Sequence, residues 1–212
     1  MAVVKETPRQ YRSPLRQEQA QRTRSAVLDA AGRLFVAKGF GATTMKDIAA
    51  EAAVSVESVY AQGGKSALLL ACVDRSIVGH DAAEPLLERA DMRTMLTTPD
   101  AGAKLAILRA IVLERAPVSA PIFEAFRGAA AADPALAAEW QTYDQRRYAD
   151  CTRMVEAFAG RLRPGLTVET ATDIYYALVS PAMVQMLTQE RGWSAERFAD
   201  WLVDSIDRLL LA

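Results

Sequence analysis

Apolar residues return every three or four positions along almost the whole chain, the spacing that places them on one face of an α-helix. Val27, Ala31, Leu34 and Phe35 mark a first face. It ends at Gly39, with Lys38 in the last turn and Phe40 placed to fold back on Phe35 as in a Schellman cap. Thr44, with Asp47 three residues on, reads as a capping box for a second helix striped by Met45, Ile48, Ala49 and Ala52. Ser55 caps a third that runs only to Tyr60, Gly63 and Gly64 interrupt, and Lys65 opens a fourth through about Val78. Beyond it, Thr98-Pro99 predicts a helix to about Ala116, Ser119 another containing Phe123 and Phe126, and Asp133-Pro134 a long one to about Arg161. Thr167 and Ser194 open the last two, parted by a turn at Arg191-Gly192, and Pro181 is expected to kink the first of this pair. No segment alternates like a strand and no repeat is visible, so the expected fold is all-α. The pattern divides it into an arm at residues 1–16, a small helical unit at 17–64 and a helical body at 65–212.

Composition changes this picture in one respect. With 51% hydrophobic and 24% charged residues, the 212-residue chain is that of an ordinary globular protein. Its apolar runs fall short of a membrane span and its start lacks the apolar core of a signal peptide, which points to the cytoplasm and to no membrane partner. Cys72 and Cys151 stand far apart without metal-ligand spacing and read as buried small hydrophobes, so neither a disulfide nor a metal is expected. The net charge of -1, however, hides an asymmetry. The chain is net basic up to Lys65, with Lys5, Arg9, Arg12 and Arg16 in the arm, and net acidic after it. A cationic front on an acidic body suits a protein whose front alone meets a polyanion.

The short third helix sharpens that reading. Two helices joined by the tight turn Ala53-Val54-Ser55 fit a helix-turn-helix, whose second helix enters the major groove of double-stranded DNA with its first residues at the base edges. Those residues are Val56, Glu57 and Ser58 behind the capping Ser55, and Glu57 can accept from cytosine N4. Val59 is expected to face inward. The hydroxyl of Tyr60 can reach a phosphate, and Lys65 can do so at the mouth of the fourth helix. Thr43, Thr44 and Lys46, at the start of the second helix, are further candidates for the DNA backbone, Thr44 doubling as a cap. The arm's cations could reach the minor groove.

The segment Arg24 to Leu69 resembles the DNA-binding domain of the tetracycline-repressor (TetR) family of bacterial transcriptional regulators. The resemblance rests on Ala30-Ala31, Leu34-Phe35, Gly39, Thr43-Thr44, Ile48-Ala49, Val54-Ser55, Tyr60, and Lys65 with Leu68-Leu69. It implies a homodimer that binds a palindromic operator and releases it when a small molecule enters the body. Three departures stand out: Ala53 where the family often has Gly, which costs about 1 to 2 kcal/mol if that residue is left-handed; Glu57 in place of a small residue; and an exit turn, AQGGK, one residue shorter than usual and lacking its aromatic residue.

In the body, Phe123, Phe126, Trp140, Tyr143, Tyr148 and Met154 are candidate walls of a ligand cavity, with ordinary core as the alternative. Tyr175, Leu178, Val179, Met183, Met186 and Leu187, then Phe198, Trp201, Leu202, Ile206 and Leu209, form stripes that suit a four-helix dimer interface, with monomer core as the alternative. His80, beside Asp81, reads as a surface loop residue. No cofactor loop or nucleophile with a base partner is found, which argues against an enzyme. The expected function is therefore that of a sequence-specific DNA-binding transcriptional regulator, a repressor released from a palindromic operator by a small-molecule ligand. The alternatives are a ligand-independent regulator or activator and an all-helical enzyme or carrier.

Overall fold

The computed structural model describes residues 14–78 and 85–212, with no account of the side chains of residues 14–17, 77 and 78. Among the described residues the chain is helical and contains no strand, only an isolated antiparallel bridge between Leu162 and Leu211. The helices are α1 (Pro14–Ala42), α2 (Met45–Glu51), α3 (Val56–Tyr60), α4 (Lys65–Val78), α5 (Ala90–Thr97), α6 (Ala101–Ala132), α7 (Pro134–Glu156), α8 (Val168–Leu178), α9 (Pro181–Gln185) and α10 (Ala195–Leu210). The arm cations Lys5, Arg9 and Arg12 and the loop residue His80 lie outside the described residues, as does the side chain of Arg16. Helix has begun by Pro14, earlier than the arm boundary at residue 16. Proline is at home there because the first turn leaves its N–H groups unpaired in any case.

Two apolar cores stack along the molecule. The first joins α1 to α4 with the far end of α6 and the start of α7, around Phe35, Ile48, Val59, Leu68, Leu69 and Phe126. The second gathers α5, the near end of α6, the end of α7 and α8 to α10 around Met95, Leu108, Ala171, Phe198 and Ile206. Helix α6 runs through both and packs on α1, α4, α5, α7, α9 and α10.

That central position explains the largest departure from the sequence expectation. The two helices expected at 99–116 and from Ser119 are one helix of 32 residues, with Pro117 and Pro121 inside it. Each proline removes one N–H from the helical ladder. Packing on several sides holds the backbone helical all the same, because tertiary burial outweighs local propensity. Its start is set by Asp100, whose carboxylate accepts from the Ala103 N–H at 2.7 Å. The buried Lys104 ties it to its neighbours: Nζ donates to the carbonyl of Ala157 and, at 3.4 Å, to that of Leu96, and lies 5.1 Å from the Phe158 ring centre. Burial without a carboxylate partner lowers its pKa.

Pro181 does not kink a continuous helix. The chain leaves the helix after Leu178, Ser180 caps a new one with its hydroxyl on the Met183 N–H at 3.2 Å, and Pro181 occupies the first turn. A π-helical turn, Met186–Glu190, follows and leads to Gly192 at φ 68°. Helix α5 and the 3-10 turns Leu86–Glu88 and Ala159–Arg161 had no sequence signal strong enough to mark them. The helix from Asp133-Pro134 stops at Glu156, short of the expected Arg161.

Candidate functional site

The helix-turn-helix is built from short helices fixed by their ends. In α2 the Thr44 hydroxyl accepts from the Asp47 N–H at 3.1 Å, and the Asp47 carboxylate accepts from the Thr44 N–H at 3.0 Å. Hydrogen bonds from the Thr44 backbone and then its hydroxyl hold the Asp47 carboxyl below its usual range. In α3 the Ser55 hydroxyl accepts from the Ser58 N–H at 3.1 Å. The turn between them carries the one positive φ outside glycine among the described residues, Ala53 at φ 54°. That is the left-handed conformation an L-residue adopts at a cost of about 1 to 2 kcal/mol.

Within α3, Val59 is fully buried in the first core and Val56 is half-buried against it. Ser58 is half-buried, and its hydroxyl lies 3.0 Å from that of Ser55. Glu57 and Tyr60 are left outward; Tyr60 is 60% exposed although it is a large aromatic. The Glu57 carboxyl is lowered by its own backbone N–H and then by the Ser55 hydroxyl, so it stays ionised at the helix start. Ser55, Thr44 and Lys46 are exposed beside them. Of the three expected base readers, then, Glu57 is free to reach outward, while Val56 and Ser58 have part of their surface committed to the fold.

Two other candidates are placed differently from expectation. Thr43 is fully buried, and its hydroxyl donates to the carbonyls of Gly39 at 2.8 Å and Leu34 at 3.2 Å. A side chain so enclosed cannot contact a phosphate. It closes the end of α1, where Gly39 sits at φ 78° and ψ 163°, a region open to glycine alone, instead of the left-handed geometry of a Schellman cap. Phe40 still folds back, its ring centre 5.7 Å from that of Phe35.

Lys65 is likewise engaged inside the fold. Its Nζ donates to the carbonyls of Phe40 at 2.9 Å and Thr43 at 3.0 Å and lies 4.3 Å from the Phe40 ring centre. Carbonyls left unpaired by the end of α1 thereby receive a charged donor. The short exit turn brings Lys65 to this place: the Tyr60 carbonyl accepts from the Gly63 N–H at 3.0 Å, and Gly63 stands at φ 128°, where a Cβ would meet Ala67 at 3.0 Å.

The body contains a cavity of about 660 Å³ that opens to solvent past Asp74 and Arg146. Phe123, Tyr143 and Met154 line it as expected. Phe126 and Trp140 do not: Phe126 is fully buried, with the Trp140 ring centre 5.1 Å away, and both belong to the first core. Tyr148 is turned away too, donating to Asp173 at 2.8 Å beside Tyr176. The remaining wall includes Leu87, Met92, Leu108, Ile111 and Val184, with Asp74, Arg115, Arg146, Arg147 and Asp150 as its charged members. Burial raises the carboxyls of Asp74 and Asp150, against the pull of Arg146 on each and of Arg153 on Asp150. The buried Cys151 thiol on the same wall is pushed up to about 12 by burial. Sequence reasoning sought the cavity among aromatics and missed these charged residues, since helical period alone does not say which polar position faces a void.

Several residues expected at a dimer interface prove to be interior. Tyr175, Phe198, Leu202 and Ile206 are buried in the second core, and the first three, with Val179, line the cavity. They point inward because α8 and α10 pack on each other and α10 packs on α6. Met186, 41% exposed, and Leu209, 47% exposed, remain outward, with Met183 and Trp201 half-buried.

Residues 27–72 match the model of a family described as bacterial regulatory proteins, tetR family. No match is found among curated proteins. Several solved structures share the fold across nearly the whole chain. A proposed transcriptional regulator from Saccharomonospora viridis in complex with choline is 19% identical, covers 89% of this chain and 97% of its own, and gives a TM-score of 0.67. The complex of SmeT with triclosan, at 20% identity, covers 91% and 93% with a TM-score of 0.67; SmeT is the repressor of a Stenotrophomonas maltophilia multidrug efflux pump. NalD, the secondary repressor of an efflux pump in Pseudomonas aeruginosa, at 21% identity, covers 91% and 98% with a TM-score of 0.61.

Proposed function

We propose, because residues 27–72 match the amino-terminal model of tetR-family bacterial regulatory proteins, that the chain is a homodimeric transcriptional repressor that binds a palindromic operator and releases it when a small molecule fills the cavity. The observation that carries the reading is α3 itself. A five-residue helix that buries Val59 and holds Tyr60 and Glu57 out to solvent contributes little to its own core and presents a shaped polar face. In this reading Glu57 reads a base edge, with Ser55, Val56 and Ser58 close against the groove. Tyr60, Thr44 and Lys46 contact the backbone. Lys65 acts indirectly, by pinning α4 to the end of α1.

The same helix supplies the coupling. Lys65 opens α4 at the reader, and Asp74, nine residues on and thus about 13 Å along the axis, lies on the cavity wall. A ligand that prefers one tilt of α4 shifts the spacing of two readers by as much as its preference for that state allows. In this reading the dimer forms through the exposed Met186 and Leu209, flanked by the half-buried Met183 and Trp201. This is a narrower face than the full stripes, because their other members serve the monomer core. The partners are therefore double-stranded DNA, a second copy of the chain and a small molecule. Selection of bound duplexes from a random library tests the proposal. Enrichment of a palindrome with half-site centres about 10 base pairs apart, or a multiple of that, is expected. Absence of any enriched sequence overturns it.

A further inference from the structure

The charges around the cavity are unevenly compensated. On the side walled by Leu87 and Met92, Asp91 serves two guanidinium groups. Arg115 donates from Nη2 to one carboxylate oxygen, and Arg89 holds Nε 3.5 Å from the other, beyond a good hydrogen bond. Both arginine side chains are largely enclosed, 11% exposed for Arg115 and 16% for Arg89. Among the described residues, Nε and Nη1 of each are buried and meet no acceptor. Among the described residues, then, two cations share the one carboxylate in contact with them, with Glu114 adding only a more distant charge to Arg115, and four nitrogens with hydrogens to give lack an acceptor. Such groups are costly to leave unmet. The strain registers in Arg115, whose pKa is lowered by burial first and also by the like charge of Arg89, against the pull of Asp91.

The opposite wall has a different resource. Asp74 and Asp150 share the charge of Arg146, and burial raises both. A carboxylate in that situation can discharge itself by taking up a proton. A guanidinium cannot, since it stays charged at any physiological pH. The Arg115 side, where the Asp91 carboxylate is shared with Arg89, gains compensation from an added anion and none from a proton. The apolar lining beside it, Leu108, Ile111, Phe198 and Leu202 among others, suits a hydrocarbon or aryl body.

Taking the ligand-controlled reading above as given, we infer that the cavity's ligand is an apolar monocarboxylate whose head lies against Arg115, with its body among the apolar residues of α6 and α10. A planar guanidinium fork meets a carboxylate along an edge that joins Nη2 to Nε or to Nη1, and with one Nη2 hydrogen given to Asp91 the other edge of Arg115 is the one left for a ligand. Asp91 is then a positioning residue: it fixes the Arg115 fork and, being itself an anion, limits how strongly the site attracts a second one.

The test titrates the full-length protein at pH 8 with three probes that share a ten-carbon chain, namely decanoate, 1-decanol and decyltrimethylammonium, by isothermal titration calorimetry. Decanoate is expected to bind about tenfold or more tighter than either of the others, as befits hydrogen bonds to a charged group. Arg115→Met is expected to abolish that preference by weakening decanoate far more than decanol. Arg115→Lys, which keeps the charge and loses the fork, should retain part of it. Asp91→Asn should tighten decanoate several-fold, a gain that a merely structural role for Asp91 would not produce. Equal affinity for acid and alcohol, a preference for the ammonium, or an Arg115→Met variant that weakens all three probes alike overturns the inference. The protein is titrated in parallel with its selected duplex. DNA binding without a decanoate preference overturns the carboxylate assignment alone, and a decanoate preference without DNA binding overturns the regulator reading and upholds the assignment. Release of the duplex by decanoate supports both.

Discussion

The amino-terminal unit and the helical body hold their helices in opposite ways. In the first, α2 and α3 have seven and five residues, far below the length at which a helix is stable by itself, and each is set by side chains at its own ends. Thr44, Asp47, Ser55, Thr43 and Lys65 together meet the backbone groups that so many helix ends expose. In the body, α6 carries two prolines without breaking because neighbours on several sides hold it, and the packing leaves a void of about 660 Å³. On the proposed function the contrast has a use: the surface that would present Glu57 and Tyr60 to DNA is fixed locally and filled tightly, and the region that would accept a ligand is fixed globally and left partly empty.

The largest expected effect comes from cutting into the tight core. Phe35→Ala is expected to cost about 3 to 5 kcal/mol, whereas Phe123→Ala, which enlarges an existing cavity, should cost clearly less; urea denaturation measures both. Equal losses would break the comparison. Next is Lys65→Met, which strips two carbonyls of a charged donor and should cost about 2 kcal/mol. Tyr60→Phe should stay within about 0.5 kcal/mol in the same assay, as an exposed residue does, yet weaken DNA binding. A smaller gain is expected from Pro117→Ala, which restores a ladder hydrogen bond on an exposed face and should stabilise by about 1 kcal/mol. Smallest is Ala53→Gly. Relief of left-handed strain outweighs the added entropy of the unfolded chain, for a net gain of about 0.5 kcal/mol in thermal unfolding.

The same contrast governs what could be read before the fold was known. The capping box at Thr44 and Asp47, the Ser55 cap, the buried Val59 and the left-handed risk at Ala53 are local signals, and local signals survive without tertiary knowledge. Lys65 reads from sequence as a phosphate contact, and its inward engagement is not legible there because its carbonyl partners lie 22 and 25 residues away. Pro117 and Pro121 read as a break because sequence does not reveal how many neighbours α6 would have. The stripes of α8 and α10 were recognised as apolar, but periodicity does not say whether a face meets its own chain, a cavity or a second copy. Tyr175, Phe198 and Leu202 serve the first two. The excess charge of Arg89 and Arg115 over Asp91 was invisible for the same reason, since α5 itself carries no strong pattern.

On the proposed function α3 reads DNA and is held in place by Lys65, which itself stays off the phosphates. Fluorescence anisotropy of the selected duplex, followed from about 50 to 200 mM salt, tests this most directly for the native protein and for Lys65→Met. The account predicts affinity that falls linearly in log salt, as phosphate neutralisation requires, with the same slope in the variant at an overall weaker affinity. A slope shallower by about 1 in Lys65→Met, or no salt-dependent binding by the native protein, would contradict it.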